Sequence, residues 1–308
     1  MPPLSPPCSD AARGRGDPMA GTAAPARAWF LIEHPGPWPA DAFGGSGLSV
    51  PVQRRLQQAA ADAGARILLV RRPGRRAHRS RRSWAVVHGL GSARPQAQVW
   101  GDWQAEGDLL DAVPALAGAR DPRDGPPAAR GLPLLLVCAH GRHDVCCAVR
   151  GRPVAAALQE RWPEQTWECS HVGGCRFAGN VVVLPDGAYY GGLGGDDTVE
   201  VVGDHLAGRV RGEYLRGVSH EPPVAQAAIA ELHRQGRAEG ELFRSRRVEQ
   251  VAASVWRVVL ERAADDGSAG PVEVELEQQA APEARLTCRA PRDATARTFV
   301  VRRVRPAP

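Results

Sequence analysis

Apolar residues fall along this chain in short blocks rather than in long helical stripes. Ala28-Trp29-Phe30-Leu31-Ile32 is an uninterrupted run, the pattern of a strand buried on both faces. Val52 to Ala63 has helical composition, and Gly64 supplies a stop. Further strands are predicted at Arg66 to Val70, Ser83 to His88 and Ala97 to Trp103. A second strongly apolar strand, Leu132 to Val137, ends at Cys138. Asp144 is placed to cap a helix over Val145 to Arg161, with a break expected near Gly151 and Pro153. Thr166 to Cys169 reads as a short strand, followed by the loop His171-Val172-Gly173-Gly174-Cys175. Asn180 to Leu184 and Ala188 to Gly191 form a hairpin about Pro185-Asp186-Gly187. Asp196 to Val210 is helical. The order of this part is therefore β-α-β-loop-β-β-α. A helix is predicted over Pro223 to Arg237. After it, Val255 to Glu261, Val272 to Leu276, Ala284 to Arg289 and Arg297 to Val304 alternate like the strands of an antiparallel meander.

These elements suggest an α/β protein of more than one part. Residues 1–26, rich in Pro, Gly, Ala and Arg, read as a disordered tail with no apolar core of a signal peptide. Met19 is a candidate initiator, which would place the residues before it outside the translated chain. A smaller α/β region is expected over 27–120, a linker over 121–130 (DPRDGPPAAR), a second α/β domain over 131–240 and a β segment over 241–308. With 34 Gly and 27 Pro in 308 residues, a coiled coil or helical solenoid is excluded. No apolar run approaches the roughly 18 residues that span a bilayer, so no membrane partner is expected.

Charge narrows the chemistry. The net charge is +5, and all 39 basic residues are arginine. Without lysine, no Schiff base, phosphate-loop lysine or lysine general base is available. Seven of the arginines fall between Arg71 and Arg82. No aromatic residue interleaves with them and no nucleic-acid motif accompanies them, so no nucleic-acid partner is expected. They read either as a solvated connection or as a docking surface for an acidic partner.

Cysteine placement carries the strongest signal. Of seven cysteines, Cys138, Cys146, Cys147, Cys169 and Cys175 lie within 38 residues, and Cys8 and Cys288 lie far away. With no export signal the expected compartment is a reducing cytoplasm, where such a cluster points to metal or redox chemistry rather than disulfides. Cys138 ends a buried strand, Cys147 opens a helix, and His171 and Cys175 follow the next strand. Ligands in open α/β sheets collect beyond the carboxyl ends of strands. Cys146 and Cys147 point about 100° apart on a helix, so only one can easily face such a site.

The segments Cys138-Ala-His-Gly-Arg-His-Asp-Val-Cys-Cys147 and Cys169-Ser-His-Val-Gly-Gly-Cys-Arg-Phe-Ala-Gly-Asn180, followed by Leu-Pro-Asp-Gly-Ala-Tyr-Tyr-Gly, resemble the sucrase/ferredoxin-like family, related to thioredoxin-like [2Fe–2S] ferredoxins. The resemblance is strong over roughly 132–195 and looser before it. It implies a thioredoxin-like ferredoxin domain, which the residue pattern sets after a smaller α/β region and before a short antiparallel β segment. It implies one [2Fe–2S] cluster held by Cys138, Cys147, His171 and Cys175. Relatives carry a second histidine, in an H-x₃-H pattern, where this chain has Cys175. A second departure is His143, where relatives usually carry arginine. Cys169 is expected to pack on its strand, and Cys8 and Cys288 to be ordinary thiols. Arg176 would either offset cluster charge or lie in solvent.

The expected function is a one-electron carrier or redox sensor, exchanging electrons with a donor or acceptor protein of acidic character. A structural zinc site of the same four ligands, or a metal-free scaffold, are the alternatives. A Rieske centre needs Cys-x-His and Cys-x₂-His; the second half here is Cys169-Ser-His171, which fails by one residue. No Cys-x-x-Cys exists for thiol–disulfide exchange. No carboxylate pair supports glycosidic cleavage, so hydrolase activity is not expected.

Overall fold

The computed structural model describes residues 6–74, 81–88, 97–121, 131–236, 242–262 and 270–307. They fall into two compact units, one built from 26–172 and 181–187, the other from 1–25, 173–180 and 188–308.

With elements numbered along the whole chain, the first unit holds strands β1 (Ala28–Glu33), β2 (Ala65–Arg71), β3 (Arg82–His88), β4 (Ala97–Trp103), β5 (Leu134–Cys138), β6 (Thr166–Cys169) and β7 (Val181–Leu184), and helices α2 (Val50–Asp62), α3 (Ala112–Arg120) and α4 (Val145–Arg161). Its strands form one mixed sheet in the order β4-β3-β1-β2-β6-β5-β7. β1 and β2 are parallel, as are β5 and β6, while β2 meets β6 antiparallel. The apolar runs at β1 and β5 are buried along almost their whole length, as central strands of a sheet covered on both faces must be. Phe30, Ile32, Leu56, Leu69, Trp84, Val86, Trp103 and Leu116 form a core in which α2 and α3 pack on strands. α2 starts with proline in its first turn, and Gly64 follows it with φ of 61°. α4 runs unbroken through Gly151 and Pro153, contrary to the expected interruption. Pro153 lies too far into the helix to be a first-turn proline, yet the chain stays helical to Arg161.

The second unit holds α1 (Cys8–Arg15), a 3-10 turn (Cys175–Phe177), β8 (Ala188–Tyr190), α5 (Gly195–Leu206), β9 (Leu215–Val218), α6 (Pro223–Arg234) and strands β10 (Phe243–Gln250), β11 (Val255–Arg262), β12 (Val272–Ala280) and β13 (Arg297–Pro306). β8 and β9 pair antiparallel. The last four strands form an antiparallel sheet in chain order, and α6 packs on β9 and on that sheet. Alternation along β11 and β12 buries Val258, Leu260, Val274 and Leu276. Glu273, also buried, is held by Arg257 and Arg305.

The chain order β5-α4-β6-turn-β7-β8-α5 is the one expected for the thioredoxin-like ferredoxin part. Three further expectations are corrected, and one strand, β9, was not predicted. Residues 6–25 are not a featureless tail: α1 buries Cys8 and Ala12, one turn apart, and packs against the Cys175–Phe177 turn. Ala284 to Arg289 is not a strand but contributes a single bridge, Ala284 to Ala294, and β10 supplies the fourth strand instead. β9, with Gly217 at φ of 141°, carries too few apolar residues to stand out in the sequence. Segments before and after 121–130 share one sheet through β2 and β6, so that stretch does not divide two sheets; 122–130 lie outside the described residues. Among the described residues no helix is long and apolar enough to cross a membrane.

Candidate metal centre

β5 delivers Cys138 to the carboxyl end of a fully buried strand. The chain then turns through Ala139 to Asp144. The Asp144 carboxylate accepts a hydrogen bond from the backbone N–H of Cys146 at 3.0 Å, capping α4 and setting Cys147 in its first turn. Gly151, further along α4, sits directly on the carbonyl of Cys138, where any Cβ would overlap the oxygen. This close approach of helix to strand brings the two thiols together. The sulfur atoms of Cys138 and Cys147 and a ring nitrogen of His171 lie within 4.8 Å of one another. Both thiols are buried, and His171 is half-buried. The hydrogen bond from Cys147 holds the Cys138 thiol well below its ordinary range. A hydrogen bond and charge from His171 and the Val172 backbone add to this, while burial opposes it.

A stack of rings leads away from His171. His143 lies against it with centroids 3.8 Å apart, and His140 lies 5.6 Å from His143. Trp38 meets His140 edge-on at 5.8 Å. Nε2 of His140 lies 2.7 Å from the Pro39 carbonyl, and Nδ1 of His143 lies 3.3 Å from that of Ala40. Burial lowers the basicity of both His140 and His143. Arg71 stacks on Trp38 at 4.2 Å and pairs with Glu168. Arg72 lies over Trp167 at 3.7 Å and donates to the carbonyls of Pro163, Glu164 and Thr166. Arg82 lies over Trp103. These three members of the arginine-rich stretch thus serve the fold, and its middle, 75–80, lies outside the described residues.

Of the four expected ligands, the structure brings Cys138, Cys147 and His171 together within the first unit. Cys175 belongs to the second unit, where it is buried and opens the Cys175–Phe177 turn. Its loop is shaped by Gly173 and Gly174, at φ of 95° and 72°, values that favour glycine. The buried guanidinium of Arg216 donates to the carbonyls of Gly173 and Thr22 and to Oδ1 of Asn180. Arg176 is mostly buried beside Asp17, 3.6 Å away, and over Phe177, rather than free in solvent. Cys169, paired in register with Cys138, has its thiol pushed well above the ordinary value, chiefly by burial, and remains protonated. The roles of His143 and Arg216 were not apparent from the sequence.

The sequence model of the family described as sucrase/ferredoxin-like matches residues 19–217, more than half of the chain. No curated protein matches it. Among solved structures, a thioredoxin-like [2Fe–2S] ferredoxin from Aquifex aeolicus is 26% identical, the match covering 30% of this chain and 97% of that one at a TM-score of 0.26. A cysteine-to-serine variant of the Aquifex aeolicus ferredoxin is also 26% identical, covering 27% and 96% at a TM-score of 0.23.

Proposed function

This chain belongs to the sucrase/ferredoxin-like family, and we propose that it is an iron–sulfur protein that carries single electrons or senses redox state. The observation that carries this reading is the convergence of two buried thiols and one imidazole, Cys138, Cys147 and His171. Soft thiolates with an imidazole, shielded from water, form a donor set suited to iron–sulfur ligation. A depressed Cys138 thiol and a Cys147 in the first turn of α4 favour the thiolate forms such ligation requires.

The fourth ligand in this reading is Cys175. It follows His171 by four residues, in the H-x₃-C spacing that replaces the relatives' H-x₃-H. When bound, a [2Fe–2S] cluster would supply reversible one-electron chemistry. The residues hold it and set its potential. One imidazole raises the potential relative to four thiolates, and Cys175 in place of a second histidine lowers it relative to a two-histidine set. The partner is an acidic electron-transfer protein, and the compartment a reducing cytoplasm.

Anaerobic purification followed by iron, zinc and acid-labile sulfide analysis, with visible absorption and EPR on the same sample, tests the reading. Two irons and two sulfides per chain are expected. Zinc without sulfide would select a structural metal site with the same donors, and no metal would select a scaffold. Electron-transfer rates with an acidic donor are expected to fall with added salt.

A further inference from the structure

Cys8 and Cys288 are separated by 280 residues, yet both lie in the second unit and meet there. The backbone N–H of Cys8 donates to the sulfur of Cys288 at 3.3 Å. Their two sulfur atoms are within 4.8 Å of each other, and both residues are thiols in this structure. We propose that they form a reversible disulfide that fastens α1 to the segment following β12.

The two thiols are suited to different halves of the reaction. Cys288 is partly exposed, with the Arg285 guanidinium bonded to its own carbonyl at 2.7 Å and Arg289 next in sequence. It is the sulfur that an oxidant reaches. Cys8 is 1% exposed and is the first residue of α1, so it is shielded from the oxidant and placed to resolve an oxidised Cys288. With hydrogen peroxide as the oxidant, the Cys288 thiol attacks one oxygen, the O–O bond breaks, and sulfenic acid and water are formed. The Cys8 thiolate then attacks the Cys288 sulfur, forming the S–S bond. The hydroxyl leaves and takes up a proton as a second water. The two thiols lose two electrons in all, which the peroxide accepts. A dithiol reverses the bond by exchange. Rotation about the side-chain torsions must close the remaining gap to the S–S bond length of about 2.05 Å.

The position of the bond gives it a consequence. α1 packs on the Cys175–Phe177 turn, and Asp17, just beyond α1, lies beside Arg176 of that turn. A Cys8–Cys288 bond ties down packing that the reduced structure already shows, so oxidation suppresses local opening of α1. Bond formation itself is independent of the iron–sulfur reading.

The test uses the full chain from Met1, first reduced and then treated with hydrogen peroxide. Non-reducing peptide mass spectrometry is expected to show a Cys8–Cys288 linked peptide, two hydrogens lighter than its parts and released by dithiothreitol. Tryptic cleavage after Arg13 and Arg15 is expected to slow by about tenfold in the oxidised form, because cleavage tracks opening of the helix. Cys8→Ser and Cys288→Ser should each abolish both effects while leaving metal content unchanged. Oxidation of Cys288 to sulfinic acid without the linked peptide would overturn the proposal. A peptide joining either thiol to a third cysteine would do the same. A linked form cleaved as fast as the reduced one would overturn the fastening of α1. Absence of iron and sulfide would instead sink only the iron–sulfur reading.

Discussion

The imidazole of His143 lies nearly parallel to that of His171, with centroids 3.8 Å apart and planes inclined by 18°. One face of His171, a ligand in the proposed reading, is thus covered by another ring, itself steadied by the Ala40 carbonyl. A covered ring is held in orientation, which is how groups next to a ligand tune a metal site. His143→Ala is therefore expected to leave the metal bound but to speed its loss to a chelator by about tenfold. His143→Phe, which preserves a stacking ring, should restore most of the retention. Equal loss rates in the wild-type and alanine proteins would show that the stack does not steady His171.

The contact between Gly151 and the Cys138 carbonyl predicts a different failure. Gly151→Ala inserts a methyl group where the strand backbone already lies, so α4 must move away from β5. The expected cost is about 1–3 kcal/mol in urea denaturation, the range for overpacking. Cys147 moves with the helix, so bound metal should also fall. Unchanged metal content with reduced stability would mean that the centre tolerates the shift.

How much of this could be read from the sequence depended on where each residue finds its partners. β1 and β5 were legible because central strands bury every side chain, which leaves unbroken apolar runs. Cys138 and Cys147 were legible because a strand end and a capped helix start are local features, the latter signalled by Asp144. α1 was not, because its sequence CSDAARGR buries only Cys8, Ser9 and Ala12. Nor was β10, an edge strand whose FRSRRVEQ shows little alternation and few buried positions. The ring stack on His171 depends on Trp38 and on the carbonyls of Pro39 and Ala40, about a hundred residues before the histidines they meet. No local pattern encodes such contacts.

Cys169 offers a pH-dependent prediction. Burial, reinforced by the charges of Cys138 and Glu168, pushes its thiol well above the ordinary value of 9.0. A pKa raised on folding means that the folded state binds the proton more tightly than the unfolded chain. The stability from this group is fully present below the unfolded pKa and is lost as pH rises toward the folded one. Cys169→Ala should lower stability at pH 7 by about 1–2 kcal/mol, an ordinary buried truncation. It should also flatten the fall in the urea midpoint above pH 9.0, the ordinary cysteine value. Because Cys169 is not among the proposed ligands, metal content should stay at the wild-type level. An alkaline slope identical in the two proteins would show that this thiol does not titrate on unfolding.

Arg216 makes the last prediction, because its side chain holds the loop that carries Cys175. Its guanidinium reaches Gly173, Asn180 and Thr22, and it lies 5.4 Å from the rings of Phe177 and Tyr189. Arg216→Met keeps the length of the side chain but deprives these buried oxygens of its donors. At about 1–3 kcal/mol for each unsatisfied group, the expected loss is several kcal/mol. Arg216→Lys keeps the charge without the planar fork and should recover only part of it. Gly174→Ala tests the same loop from the other side: an alanine Cβ would meet the Arg216 guanidinium at a backbone φ of 72°. Both Arg216→Met and Gly174→Ala should lower the urea midpoint. If Cys175 is a ligand, both should also reduce bound metal, whereas a change in stability at constant metal content would argue that the loop carries no ligand.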